Sequence, residues 1–288
     1  MVEFIVVQTL NGLVYSMLLF IFALGLSTTF GLLRFVNLAH GSFFLLGAYS
    51  GLSIVRVTHS YMVAALGAAL LAGAVGLLLE RLFLRRFYRR SDLDQVILSY
   101  GFALVFLDVA KMIWGKDIQS IATPEWFSGG IEIASVTFPI YRLLLIALGC
   151  LLFVATWLTV ERTRLGALIR ASVDDPDMVS GLGFDVRALF TSIFAAGAML
   201  AGFGGVVGAP ITSIYPGLDF ETLITALIVI VVGGLGNITG SFWASLLIGV
   251  SDTFGRALIP EAASFFIFGL MVVVLLVRSW NVPEEELE

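Results

Sequence analysis

Charge is scarce in this chain of 288 residues: only 13% are Asp, Glu, Lys or Arg, against about 25% in soluble domains. There are two histidines, His40 and His59. Neither has carboxylate or cysteine partners at ligand spacing, so no metal centre is written in the sequence. The single cysteine, Cys150, rules out an intrachain disulfide, and within its apolar run it reads as a small buried filler. There is no Gly-x-x-x-x-Gly-Lys-Ser/Thr stretch, so no P-loop binds nucleotide. No Gly-x-Ser-x-Gly elbow marks a hydrolase. The alternating ten-residue segments of a transmembrane barrel are missing. Residues 4–33 lack the basic n-region of a cleavable signal and are too long for its apolar core, so they are expected to remain as a span.

Apolar residues are what the chain has in excess, at 59% with a mean hydropathy of +1.02. Several runs exceed the roughly 18–20 residues that cross a bilayer. The fold class is therefore an all-α polytopic membrane protein. Spans are expected near 4–33, 43–55, 61–79, 96–113, 143–160 and 188–210. The run 222–250 is interrupted by glycines, and a last run covers 265–277. About 8–9 transmembrane segments result, depending on whether 222–250 is one broken element or two. Residues 1–280 form the membrane domain and 281–288 an acidic cytoplasmic tail.

The net charge of −5 says less than its distribution. Arg81, Arg85, Arg86, Arg89 and Arg90 cluster after the third span, and Arg162, Arg164, Arg170 and Arg187 surround the segment after the fifth. Basic loops mark the cytoplasmic side. Two spans separate these loops, which agrees with one shared side. Counting back puts the N-terminus outside and the C-terminus in the cytoplasm. The arginine cluster is read as an orientation signal rather than a lipid or nucleic-acid patch, and no nucleic-acid partner is expected. The loop 115–139 carries one lysine against Asp117, Glu125 and Glu132, as an outer loop would, with Trp114 and Trp126 as interface anchors. Arg278 and Trp280 anchor the last run inside. Asp108 and Lys111 are placed to pair at i,i+3.

Three segments interrupt the apolar pattern. Residues 34–42 contain Arg34, Asn37, His40 and Ser42. They form either an inner turn or a polar site in the bilayer core, where such residues are functional by default. Residues 233–240 hold Gly234, Gly236 and Asn237. Glycines breaking an apolar run serve either a substrate pathway or close helix packing. Small residues at Ala201 and Gly205, and at Gly204 and Gly208, are also spaced for close helix contact. Residues 161–187 are a polar island. Asp174 or Asp175 can N-cap a helix there, and Pro176 suits its first position. Met178, Val179 and Leu182 are its apolar residues, and Gly183 can end it in the left-handed conformation. Arg170 and Asp174 are spaced i,i+4. Physics alone leaves this island as an interfacial helix or a handle for a cytoplasmic partner.

Four stretches resemble LivH-type permeases, the membrane subunits of ABC importers for branched-chain and other hydrophobic amino acids. They are residues 30–43, 80–101 (Glu80-Arg81-Leu82, Arg85, then Gln95 to Gly101), 163–183 and 232–240, and they cover the chain in order. Val179 and Pro176 depart from the usual pattern. The resemblance implies a homologous permease subunit, two cytoplasmic ATPase subunits that bind ATP and Mg, an extracytoplasmic solute-binding protein and a bilayer of membrane lipid. This chain would then need no cofactor and catalyse nothing itself. The resemblance makes 161–187 the ATPase-docking loop, with Arg164, Arg170, Asp174, Asp175, Met178, Val179, Leu182 and Gly183 as coupling residues. Asn37, His40, Gly234, Gly236 and Asn237 become pathway candidates. Cargo stays open among branched-chain amino acids, urea, short amides, aromatic acids and pentoses. A carrier independent of ATP is disfavoured, because Asp108 and Asp252 lie toward helix ends.

Overall fold

A computed structural model describes residues 1–33, 35, 37–88, 90–133 and 136–280. Arg34, Arg89 and the acidic tail 281–288 lie outside the described residues, as do the side chains of Arg278 and Trp280. The helices are α1 (Val2–Leu33), α2 (His40–Thr58), α3 (Tyr61–Leu82), α4 (Asp92–Trp114), α5 (Ile140–Arg162), α6 (Arg164–Asp174), α7 (Pro176–Gly181), α8 (Val186–Gly208), α9 (Leu218–Gly233), α10 (Ile238–Leu258) and α11 (Ala263–Trp280). A hairpin of β1 (Gly130–Ile133) and β2 (Val136–Pro139) leads into α5. Among the described residues, six helices are long and apolar enough to cross a membrane, or up to seven with α9 and α10 taken as one bent span.

The central helix is α1. Phe20, Ile21, Phe22, Ala23 and Leu24 are all buried in succession, the mark of a helix apolar on every side and surrounded by others. It packs on α10, α8, α5 and α9. Small residues let α8 approach α2 and α3: a β-carbon at Gly205 would lie 2.1 Å from the Phe44 carbonyl oxygen, and one at Gly202 2.4 Å from Ala72 Cβ. Close approach through Gly and Ala is how helices pack where lipid removes the hydrophobic drive. α4 and α5 are mostly uncovered and form the perimeter. Cys150 is exposed on α5, which corrects its reading as a buried filler: an apolar run at the perimeter faces outward as readily as inward.

The last carbonyls of α8 have no helical partner. Tyr61 donates to Val206 O at 3.0 Å and Tyr141 to Val207 O at 2.7 Å, with the two hydroxyls 2.6 Å apart. Beyond them, Gln119 and Ile214 exchange two backbone hydrogen bonds of 2.8 Å, and Arg56 donates to Gln119 Oε1 at 2.7 Å. Asp108 and Lys111 pair at 3.1 Å as expected. Trp114 stacks on Tyr49 at 5.0 Å and donates to Ser53, whereas Trp126 is exposed.

The glycine break is resolved as a turn. α9 and α10 meet at 119° across four residues. The start of α9 and the end of α10 line the same cavity, so the two helices return to one end of the bundle as a hairpin. Its tip packs against the far end of α1, where a β-carbon at Gly31 would lie 2.1 Å from Gly236 Cα. Gly234 and Gly236 take φ of +93° and +75°, the left-handed region that glycine enters freely.

Candidate functional site

The polar island folds as two helices where one was anticipated. Thr163 caps α6 by accepting from Gly166 N at 3.2 Å. Gly166, Ile169 and Ser172 recur every three residues and form the buried face of α6, which lies on α5 and α1. Gly166 is indispensable to that contact, since a β-carbon there would sit 1.9 Å from Val160 O. Arg170 does not pair with Asp174. It donates to the Val160 carbonyl and lies 3.7 Å from Glu161. The last carbonyls of α5 are unpaired within the helix, and a cation is favoured there, so Arg170 is drawn back to α5.

α7 starts as its sequence suggests. Asp175 accepts from Met178 N at 2.8 Å, and Pro176 occupies the first turn. Gly183 follows the helix with φ +90°, and Asp185 caps α8 by accepting from Ala188 N at 3.0 Å. The three apolar residues divide. Val179 is 1% exposed and packs within its own chain, while Met178 and Leu182 are 52% and 69% exposed. Leu165 and Phe184 are exposed beside them. Arg164, Asp174 and Asp175 are also exposed. The result is a rigidly capped unit presenting uncovered apolar knobs within a charged surround.

A groove of about 880 Å³ runs beside α7, lined by Arg85, Arg86 and Tyr88 on one wall and by Asp177, Phe184 and Arg187 on the other. The two basic loops therefore share one end of the bundle. Beneath the groove, Glu80 is 0% exposed. It accepts from Thr191 at 2.7 Å and Tyr88 at 3.1 Å, and Arg85 lies 3.8 Å away. Burial, and then the Glu80 carboxylate, push the Tyr88 hydroxyl well above its ordinary pKa, so it remains a donor. A buried carboxylate without such partners would be severely destabilising. This cluster joins α3, the arginine loop and α8 at the base of the docking unit.

The pathway candidates lie at different levels of α1. Leu38 and Ala39 form a turn between α1 and α2, and Asn37, His40 and Ser42 are buried beside it, so the segment is a turn held within the bundle. The His40 ring packs 5.3 Å from that of Phe22, and Gly25 adjoins it. Asn37 Oδ1 accepts from Ala39 N at 3.0 Å, while its Nδ2 has no partner. Gly236, by contrast, adjoins Gly31, six residues or about 9 Å further along α1. Asn237 is exposed at the hairpin tip and caps α10 by accepting from Gly240 N at 2.9 Å. The glycine break makes a close helix contact and a tight turn.

A second cavity, of about 700 Å³, opens at the other end of the molecule. α8 connects the two regions, with Val186 and Arg187 at the groove and Gly208 at this cavity. Its 23 residues span about 33 Å at 1.5 Å per residue. α1, α9 and α10 supply Tyr15, Leu18, Glu221, Thr225, Asp252 and Arg256 to the lining. Arg256 Nε donates to Asp252 Oδ2 at 2.7 Å, and Tyr215 donates to Glu221 at 2.7 Å. That hydrogen bond, followed by burial, pushes Tyr215 up to about 12. None of Asn37, His40, Gly234, Gly236 and Asn237 lines this cavity.

A family model described as the branched-chain amino acid transport system / permease component matches residues 8–275. The chain belongs to this family. It is 28% identical to the high-affinity branched-chain amino acid transport system permease protein BraD of Pseudomonas aeruginosa, over 97% of this chain and 96% of that one. It is 26% identical to the LivH permease of the corresponding Escherichia coli K12 system, again over 97% and 96%. A fructose import permease protein, FrcC of Rhizobium meliloti, is 24% identical over 74% of this chain and 60% of its own length. No solved structure matches.

Tyr15, Glu221, Asp252 and Arg256, which line the cavity, are absent from the candidates read from the sequence. Asp252 and Arg256 are i,i+4 on a single helix, a spacing legible in the sequence. Asp252 reads from the sequence as a charge toward a helix end, because the apolar run stops at residue 250. α10 continues to Leu258. Nothing local signals that α1, α9 and α10 converge on them.

Proposed function

We propose that this chain is the membrane-spanning permease subunit of an ABC importer for branched-chain or related amino acids. The observation that carries the reading is the α6–α7 unit. Two short capped helices, fixed to α5 and α8, hold Met178, Leu182 and Phe184 uncovered beside an arginine-lined groove. A multi-pass protein with no nucleotide motif needs an outside source of work, and such a surface suits a cytoplasmic ATPase. On this reading each of two ATPase subunits, which bind ATP and Mg, pulls on one docking loop. A homologous permease completes the membrane core, and a solute-binding protein delivers cargo at the opposite, outer end. The assembly sits in the cytoplasmic (inner) membrane of a bacterium or archaeon.

Basic loops favour the cytoplasmic side, which supports placing the arginine groove there. With α9 and α10 counted as a hairpin crossing twice, α1–α5, α8, α9, α10 and α11 make nine crossings, with the N-terminus outside and the C-terminus inside. The names of the relatives with almost complete coverage support amino-acid cargo. The fructose permease supports a second reading, the same architecture carrying another small polar solute. Both are tested by reconstituting the permease with its ATPases and binding protein in proteoliposomes. The expected result is ATP-dependent uptake of leucine, isoleucine and valine exceeding that of urea, acetamide, phenylacetate and fructose. Uptake of one of the latter with none of the former would reassign the cargo.

A further inference from the structure

The cavity at the outer end holds an unusual arrangement of charge. Asp252 is 2% exposed, and its Oδ1 is buried with no hydrogen-bond partner. Its Oδ2 is held by Arg256 Nε at 2.7 Å. A buried carboxylate oxygen left without a donor is strongly unfavourable, and Asp252 forms part of the cavity wall, so this oxygen would gain from a cationic donor entering there. Arg256 has five N–H donors and commits one to Asp252. Its side chain is 64% exposed and lines the cavity, and a guanidinium fork suits a carboxylate. Glu221 lines the same space, fixed by Tyr215. A second acceptor thus lines the same cavity. Leu18, Leu19 and Phe44 supply apolar wall.

We infer that this cavity is a recognition site for the zwitterionic head group of an α-amino acid, with Asp252 Oδ1 and Glu221 receiving the α-ammonium and Arg256 the α-carboxylate. The inference rests on the permease reading and deepens it. A monoanion would meet Arg256 but leave Asp252 Oδ1 unpaired. A monocation would satisfy Asp252 but leave the guanidinium fork empty. A neutral sugar or amide would answer neither charge. A cavity of about 700 Å³ far exceeds one amino acid, so the walls do not measure the side chain. The permease therefore selects the head group and leaves side-chain discrimination to the protein that delivers the solute.

The test uses the full importer complex carrying Thr225→Cys in a Cys150→Ala background, so that a single thiol lines the cavity. The rate at which a small maleimide modifies it is measured against added solute. Leucine should slow modification, whereas isovalerate, isoamylamine, fructose and urea at equal concentration should not. Adding Asp252→Asn or Arg256→Gln should raise the leucine concentration needed for protection by roughly tenfold or more, the weight of one charge-assisted hydrogen bond. Co-purification of all subunits as one peak on size exclusion shows that each variant has assembled. Equal protection by isovalerate, protection that survives both substitutions, or no protection by leucine overturns the inference. Uptake in the same proteoliposomes separates the two readings. Amino-acid uptake without thiol protection defeats this site alone, while an importer that moves no amino acid defeats the cargo assignment.

Discussion

Replacing Met178 and Leu182 together with serine isolates the docking surface from the fold. The two side chains are 52% and 69% exposed, so they contribute little to the packing of this chain and have most of their apolar area left to bury. Burying a leucine or methionine outright is worth about 1.5–3 kcal/mol. About two thirds of that for Leu182 and half for Met178 gives about 1.8–3.5 kcal/mol for the pair. The expected loss in affinity for the ATPase subunit is thus about 20- to 400-fold. The assay is titration of purified ATPase onto the solubilised permease, with thermal unfolding recorded alongside. The doubly substituted protein should unfold within about 1 kcal/mol of wild type, since exposed substitutions are individually almost neutral. Val179 provides the contrast: it is 1% exposed, so Val179→Ala should cost about 1–3 kcal/mol of the chain's own stability. Its effect on the ATPase should come only through that loss. Weakening of less than about threefold in the double variant would refute the assignment of these two residues to the interface.

Three further substitutions probe the parts that hold the docking unit in place. Thr191→Val keeps the volume but removes the 2.7 Å hydrogen bond to buried Glu80. It should cost about 1.5–3 kcal/mol, measured as a melting temperature several degrees lower, and Thr191→Ser should restore most of it. Gly166→Ala places a β-carbon 1.9 Å from Val160 O. It should displace α6 from α5 and expose 161–187 to protease while the membrane helices stay protected. Asp175→Ala deletes the cap on Met178 N and should cost about 1 kcal/mol. ATPase affinity should then fall up to about tenfold, with Asp175→Asn largely rescuing it.

Local chemistry was the legible part of this molecule. Asp175, Pro176 and Gly183 each carry a backbone preference strong enough to set a helix start or stop, and the structure has them in those places. The long apolar runs were equally plain, since a bilayer-length run has few alternatives. Long-range geometry was not legible. Arg170 has a plausible partner four residues on, yet it reaches back ten residues to Val160 because α6 folds onto α5. Val179 reads as a knob and is buried, because the side chosen by a two-turn helix depends on its neighbours. The glycines at 233–240 fit a pathway and close helix packing equally well by sequence, and only the fold brings Gly236 against Gly31. Asp252 and Arg256 gain meaning only from α1 and α9, which are distant in sequence.

Leucine accumulation in proteoliposomes holding this permease, its homologous partner and two ATPase subunits, with the binding protein loaded on the outer side, tests the central claim most directly. Uptake should require ATP on the cytoplasmic side, vanish with an ATPase that cannot hydrolyse it, and fall in the Met178→Ser, Leu182→Ser double variant even though that chain remains folded. Uptake that persists without the ATPase subunits and collapses with an ionophore would contradict the account and make the protein an ion-coupled carrier.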